Sequence, residues 1–155
     1  MKKLRRTVKK HKETIGENAG LAVALFFIVM LTSQLFSFEQ MPKLIADVFS
    51  LQEGLGLLIA ASLAIAMLLS LPFLLAMPIS PLMKNVGKVL SVVVILFWIA
   101  VGVQTSVVFV LDQNVGLLGS KIPLMGGIWL VLMMLGLLLI LVWHLCRTYF
   151  SSKSS

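Results

Sequence analysis

Cys146 is the only cysteine in this 155-residue chain, so neither a CxxC redox pair nor a disulfide framework can be written from it. Histidine is nearly as scarce. His11 lies in a basic tail, and His144 sits two residues from Cys146, a spacing that puts the two on different faces of a helix. No metal-ligand cluster of His and Cys follows from that. Glycine motifs that cradle phosphates are missing as well. Charge is the third shortage: only 12% of the residues are Asp, Glu, Lys or Arg. These absences leave no catalytic constellation in view, and the expectation is a protein without intrinsic catalytic activity.

What the chain has in place of charge is hydrocarbon. Hydrophobic residues make up 59% of the sequence, with a mean hydropathy of +1.05. A soluble domain of this size cannot bury so much apolar surface, whereas a bilayer can, at about 20 apolar residues per spanning helix. Four stretches qualify: 19–38, 54–77, 87–111 and 124–146. None carries Asp, Glu or Arg in its middle. Strands for a barrel would alternate over about ten residues, and these stretches are apolar all round. The reading is an all-α, polytopic membrane four-helix bundle, a single membrane domain over 1–155.

Charge orients it. The tail 1–18 holds Lys2, Lys3, Arg5, Arg6, Lys9, Lys10 and Lys12. With Lys84, Lys88, Arg147 and Lys153 these put eleven of thirteen basic residues on one side, against Lys43 and Lys121 on the other. The positive-inside rule then places both termini in the cytoplasm, as a multi-pass protein of the cell (inner) membrane. The basic tail is expected to touch anionic headgroups of the bilayer rather than nucleic acid. A signal peptide is set aside because the apolar run continues to Phe38 without a small-x-small cleavage site.

Between the first two spans, MPKLIADVFSLQEG places Pro42 at a helix start. Leu44, Ile45, Val48, Phe49 and Leu51 make an apolar face, so 43–52 reads as a short interfacial helix. It either packs on the bundle or lids a cavity. In the second span, Gly56, Ala60 and Ala64, and one face over Ser62, Ala66 and Ser70, are small residues four apart that let helices approach. Pro72 should bend its end. Trp98 lies mid-span, and Trp129 and Trp143 sit near opposite ends of the last span.

Thr32–Gln40, TSQLFSFEQ, returns 73 positions later as TSVVFVLDQ, Thr105–Gln113. Thr, Ser, Phe, a carboxylate and Gln recur at equal spacing, and the same offset joins Gly54 to Gly127. The chain therefore reads either as two parallel helical hairpins, 19–77 and 92–150, or as two helices meeting the same interface with similar residues. If the repeat is structural, Thr32, Gln34, Gln104 and Thr105 surround an outward-facing polar pocket beneath Glu39, Glu53 and Asp112, with Lys43 beside it. An amide in hydrocarbon needs a partner, which makes Gln34 and Gln104 the most informative of these residues. Otherwise the carboxylates simply meet external water.

Glu39, Pro42, Lys43 and Leu44 after the first span, and Glu53-Gly54-Leu55 opening the second, resemble the DoxX/MauE group. That resemblance spans nearly the whole chain. It implies a small bacterial four-helix membrane protein, accessory to respiratory or thiol-redox chemistry, with Lys43 and Glu53 as the residues to carry over. A quinone enters only through this resemblance; no other cofactor and no metal is suggested. With one cysteine, dithiol exchange is not supported. The competing readings are a structural membrane subunit that docks a membrane-protein partner, and a small transporter or channel. The absence of a mid-membrane ionisable residue weighs against the transporter.

Overall fold

A computed structural model describes the backbone of residues 2–107, 117 and 127–152, and side chains over 18–107, 117 and 127–147. Five helices follow in order: α1 (Lys2–Phe36), α2 (Met41–Phe49), α3 (Glu53–Leu74), α4 (Pro81–Val107) and α5 (Ile128–Ser152). Four of them contain spans long and apolar enough to cross a membrane: Asn18–Phe36, Glu53–Leu74, Pro81–Val107 and Ile128–Arg147. This is a multi-pass helical membrane protein. The large residues left on its flanks, Leu25, Val29, Leu58, Ile65, Val93 and Leu139 among them, are those a bilayer covers.

The long helices form a ring in which α3 packs on α1 and α4, α5 packs on α4 and α1, and α1 and α4 stand on a diagonal. Consecutive antiparallel spans are thus neighbours, and the α1–α5 contact between the first and fourth spans closes the ring. On α3 the buried positions Gly56, Ala60, Leu63, Met67, Ser70 and Leu74 alternate steps of four and three, the period at which one helical stripe keeps facing its neighbours. Ala60 therefore lies in the interior. Ala64 is only half-buried, and Ser62 faces outward and bonds back to the Leu58 carbonyl at 2.7 Å. Small residues do mark α3 as closely packed, but the stripe runs through Ala60 and Leu63 rather than Ala60 and Ala64.

Helix ends are set by local chemistry. Ser80 caps α4, its Oγ accepting the Met83 N–H at 3.3 Å, and Pro81 follows at the first helical position, where its missing N–H costs nothing. The third span therefore starts at Pro81, six residues before the hydropathy boundary at 87. α3 runs through Pro72 to Leu74 and closes on Ala76 (φ 52°), with the Met77 N–H on the Pro72 carbonyl at 3.0 Å. α2 closes the same way on Ser50 (φ 52°), with the Leu51 N–H on the Ala46 carbonyl at 2.8 Å. These left-handed stops satisfy carbonyls the helix leaves bare. The first span ends at Phe36, not 38, because residues 37–40 turn to start α2 at Met41. The beginning of the last hydropathy stretch, at 124, falls outside the described residues. α1 is longer than its span: the basic tail continues it as helix from Lys2.

At the centre, Phe27 and Met30 from α1, Leu63 and Met67 from α3, Val94, Ile95 and Trp98 from α4, and Met134 from α5 are buried. Trp98 is fully enclosed, and its indole Nε1 is a buried donor without a hydrogen-bond partner among the described residues. Such a group costs about 1–3 kcal/mol. The other two tryptophans stand out from the bundle flank, Trp129 77% and Trp143 55% exposed.

Candidate functional site

Of the eight polar residues singled out from sequence, the seven that are described belong to the end of the bundle where α2 lies, the end away from the termini. α2 shapes that end. Its Met41, Ile45 and Ala46 are buried against α3 and α4, and Leu44, Val48 and Phe49 are half-buried, with the Phe49 ring 5.8 Å from that of Phe97. It is a helix seated on the bundle, with Lys43 and Asp47 on its exposed side. Glu39 and Glu53 stand exposed at its two flanks, and Glu53 occupies the first turn of α3, where a carboxylate suits the helix dipole.

Two of the seven described residues are buried, and both hold the α4–α5 connection. Gln34, 2% exposed in the last turn of α1, donates its Nε2–H to the carbonyl of Leu117 at 3.1 Å. Leu117 is itself fully buried. Thr105, 5% exposed, sends its hydroxyl to the Val101 and Gly102 carbonyls, both at 3.0 Å, and accepts the N–H of Gly127 at 2.9 Å. Gly127, at a positive φ of 95°, is the residue from which α5 starts: the Leu130 and Val131 N–H groups bond to its carbonyl. An amide in α1 and a hydroxyl in α4 therefore serve as struts to the chain between α4 and α5. A Thr105→Val exchange keeps the shape and strands the Gly127 N–H. It should cost about 1–3 kcal/mol, read as a lower unfolding midpoint in detergent.

The other described residues do not join them. Thr32 is exposed and bonds back to the Ile28 carbonyl at 2.7 Å. Gln104 is exposed on the flank of α4, and Asp112 lies outside the described residues. Phase explains the division. Counted 73 residues apart, exposed Thr32 answers buried Thr105, buried Leu31 answers exposed Gln104, and buried Gln34 answers exposed Val107. Counted 71 apart, the interiors agree. Val23, Ala24, Phe27, Met30, Leu31 and Gln34 of α1 answer Val94, Ile95, Trp98, Val101, Gly102 and Thr105 of α4, while Leu63, Ser70 and Phe73 of α3 answer Met134, Leu141 and His144 of α5. The matching letters and the matching interiors thus differ by two residues, about 200° around a helix. The shared-letter register does not bring Thr32 and Gln104 to the interior beside Gln34 and Thr105.

Several polar groups inside the bundle escaped the sequence reading, Ser37 and Ser91 among them. Besides Trp98, the His144 ring is buried near the terminal end, 5.5 Å from the Phe73 ring, on whose face Lys88 also rests at 5.9 Å. A helix apolar on every side gives no sequence signal for which polar residue turns inward. Cys146 is exposed, on another face from His144. Among the described residues, no three of His, Cys, Asp and Glu converge as metal ligands. A quinone would need free donors for its carbonyls. Thr105 directs its hydroxyl to backbone, Gln34 commits one of its two amide N–H groups to the Leu117 carbonyl, and Trp98 is enclosed, so no step through such a group is assigned. No family model matches the chain, and neither a curated protein nor a solved structure matches it.

Proposed function

We propose that this small integral membrane protein is an accessory subunit without catalysis of its own, serving membrane redox or respiratory chemistry in the manner the DoxX-like resemblance implies. It works as a docking platform on the external side of a bacterial inner membrane. One observation carries the reading. The buried polar side chains at the α2 end, Gln34 and Thr105, bond to backbone and stiffen that end, while Glu39, Lys43, Asp47 and Glu53 are displayed on its surface. Rigid backbone beneath displayed charge suits recognition of a partner, since preorganised surfaces lose less entropy on binding. The charge asymmetry of the sequence supports an orientation with the α2 end outside and both termini in the cytoplasm.

Purification from native membranes in mild detergent tests it, with co-purifying proteins, lipids and quinones identified. The expected result is a respiratory or thiol-oxidising enzyme retained by the parent chain. A Lys43→Glu, Asp47→Lys variant with an unchanged unfolding midpoint should lose most of it. A chain that purifies alone, or retains its partner equally in the charge-reversed variant, overturns the platform. Cysteines at Glu53 and Asn85, in a Cys146→Ser background, check the orientation. The first should react with an impermeant maleimide added outside intact cells, and the second should not.

A further inference from the structure

Of the four spans, α5 offers the most of itself to its surroundings: 22% of its apolar stretch is buried in the bundle, against 39% in each of the others. Its outward side is ordered. At 3.6 residues per turn, Trp129, Gly136, Trp143 and Arg147 fall within about 20° of one line down the helix. The two tryptophans stand out, and Gly136, exposed between them, has nothing within 4 Å of where a Cβ would lie. Leu132 and Leu139 rise on one side of that line and Met133 and Ile140 on the other, all exposed. The result is a shallow channel floored by backbone at Gly136. At its terminal end the Arg147 guanidinium lies over the Trp143 ring, 4.9 Å from the centroid. A guanidinium stacked by its face is held in place and keeps its N–H donors around its edge.

We infer that this line binds one anionic phospholipid of the leaflet at the terminal end. Its phosphate sits on Arg147, its glycerol backbone beside Trp143, and an acyl chain in the channel over Gly136. Length fits. Arg147 ends the span, and Gly136 lies about 16 Å from it along the axis, while one leaflet of hydrocarbon is about 15 Å deep. Charge fits as well. A guanidinium meets phosphate oxygens through paired N–H bonds, and Lys84 and Lys88, at the same end of neighbouring α4, favour a lipid of net negative charge. A second copy of the chain is the other occupant that a glycine on an outward face would suit. A twofold axis along the membrane normal at Gly136 would set the two Arg147 side chains at equal depth beside the axis, cation against cation. An anionic headgroup meets the same arginine without that conflict. The site is built on α5 and calls on no residue of the basic tail.

Native mass spectrometry of the full chain in detergent, titrated with lipid, tests this. The parent should take up one phosphatidylglycerol about ten-fold more tightly than phosphatidylcholine. Arg147→Gln should erase that preference. Gly136→Leu should weaken the uptake several-fold while the unfolding midpoint stays that of the parent. Trp129→Leu, on the same line in the other leaflet, should leave both the uptake and the preference unchanged. Saturating glycerol phosphate should not displace the lipid, because the acyl chain supplies part of the binding. Equal uptake of the two lipids by the parent, a preference that survives Arg147→Gln, or uptake that Gly136→Leu leaves intact overturns the inference. Displacement by glycerol phosphate overturns it too, since the site would then be one for a free phosphate. So does a parent that flies as a dimer dispersed by Gly136→Leu, which would give this face to a second copy.

Discussion

Replacing Gly56 by leucine should lift α2 from the bundle. A Cβ at this position would collide with the carbonyl oxygen of Pro42 and press on its carbon and the Ala46 methyl. Pro42 offers backbone, which cannot rotate aside as a side chain could, and its fixed φ stiffens the start of α2. Overpacking in a well-fitted interior typically costs 1–3 kcal/mol, and the larger figure, about 3 kcal/mol, is expected here. The measurement is a cysteine at Ile45, 2% exposed in the parent, in the Cys146→Ser background. Gly56→Leu should turn it from resistant to reactive toward maleimide and lower the unfolding midpoint. Gly54→Leu, where nothing lies within 4 Å, should leave both unchanged. If position 45 stays protected with leucine at 56, the Pro42 approach is not what seats α2.

The second large effect belongs to the other end. A Cβ on Gly20 would lie 2.7 Å from His144 Cε1 and 2.8 Å from the Leu74 carbonyl oxygen. Contacts under 3 Å force a shift, so Gly20→Leu must separate α1 from both α3 and α5. Roughly 3 kcal/mol of destabilisation is expected, read as the detergent unfolding midpoint. A double-mutant cycle apportions it: His144→Ala should recover part of the loss by clearing the imidazole, but the Leu74 carbonyl remains, so recovery stays incomplete. Gly136→Leu on α5 provides the contrast, because nothing lies within 4 Å of its Cβ direction. A neutral Gly20→Leu would mean that the α1 side of the ring yields far more readily than the other contacts imply.

Hydropathy was enough for the membrane class and the helix count, because burying hydrocarbon in a bilayer needs only length and apolarity. It also located α2, through Pro42 and an apolar face that includes Ile45, now buried, and Val48 and Phe49, half-buried. Ends were read less well. Ser80 and Pro81 start α4 through capping, which a hydropathy window does not weigh, and Ala76 stops α3 in a left-handed turn without the glycine that usually announces one. The candidate site was legible in part. Gln34 stood out because an amide in hydrocarbon needs a partner, and it has one in the Leu117 carbonyl. Thr105 was chosen for its letter match to Thr32, yet its burial follows a register two residues different. In helices apolar all round, identity at equal spacing says little about which face turns inward; only packing decides that.

The ring has a consequence for how the molecule comes into being. As the chain leaves the ribosome, α1 can pair with α3 and α3 with α4, each soon after its partner is made. The remaining flank of α1 meets α5, the fourth span in chain order. Until then the Gly20 surface that receives His144 is bare, and α4 likewise waits for α5 along its other side. The first three spans taken alone make an open crescent, and α5 is the element that closes it into a ring, its start held by Thr105 through the Gly127 N–H.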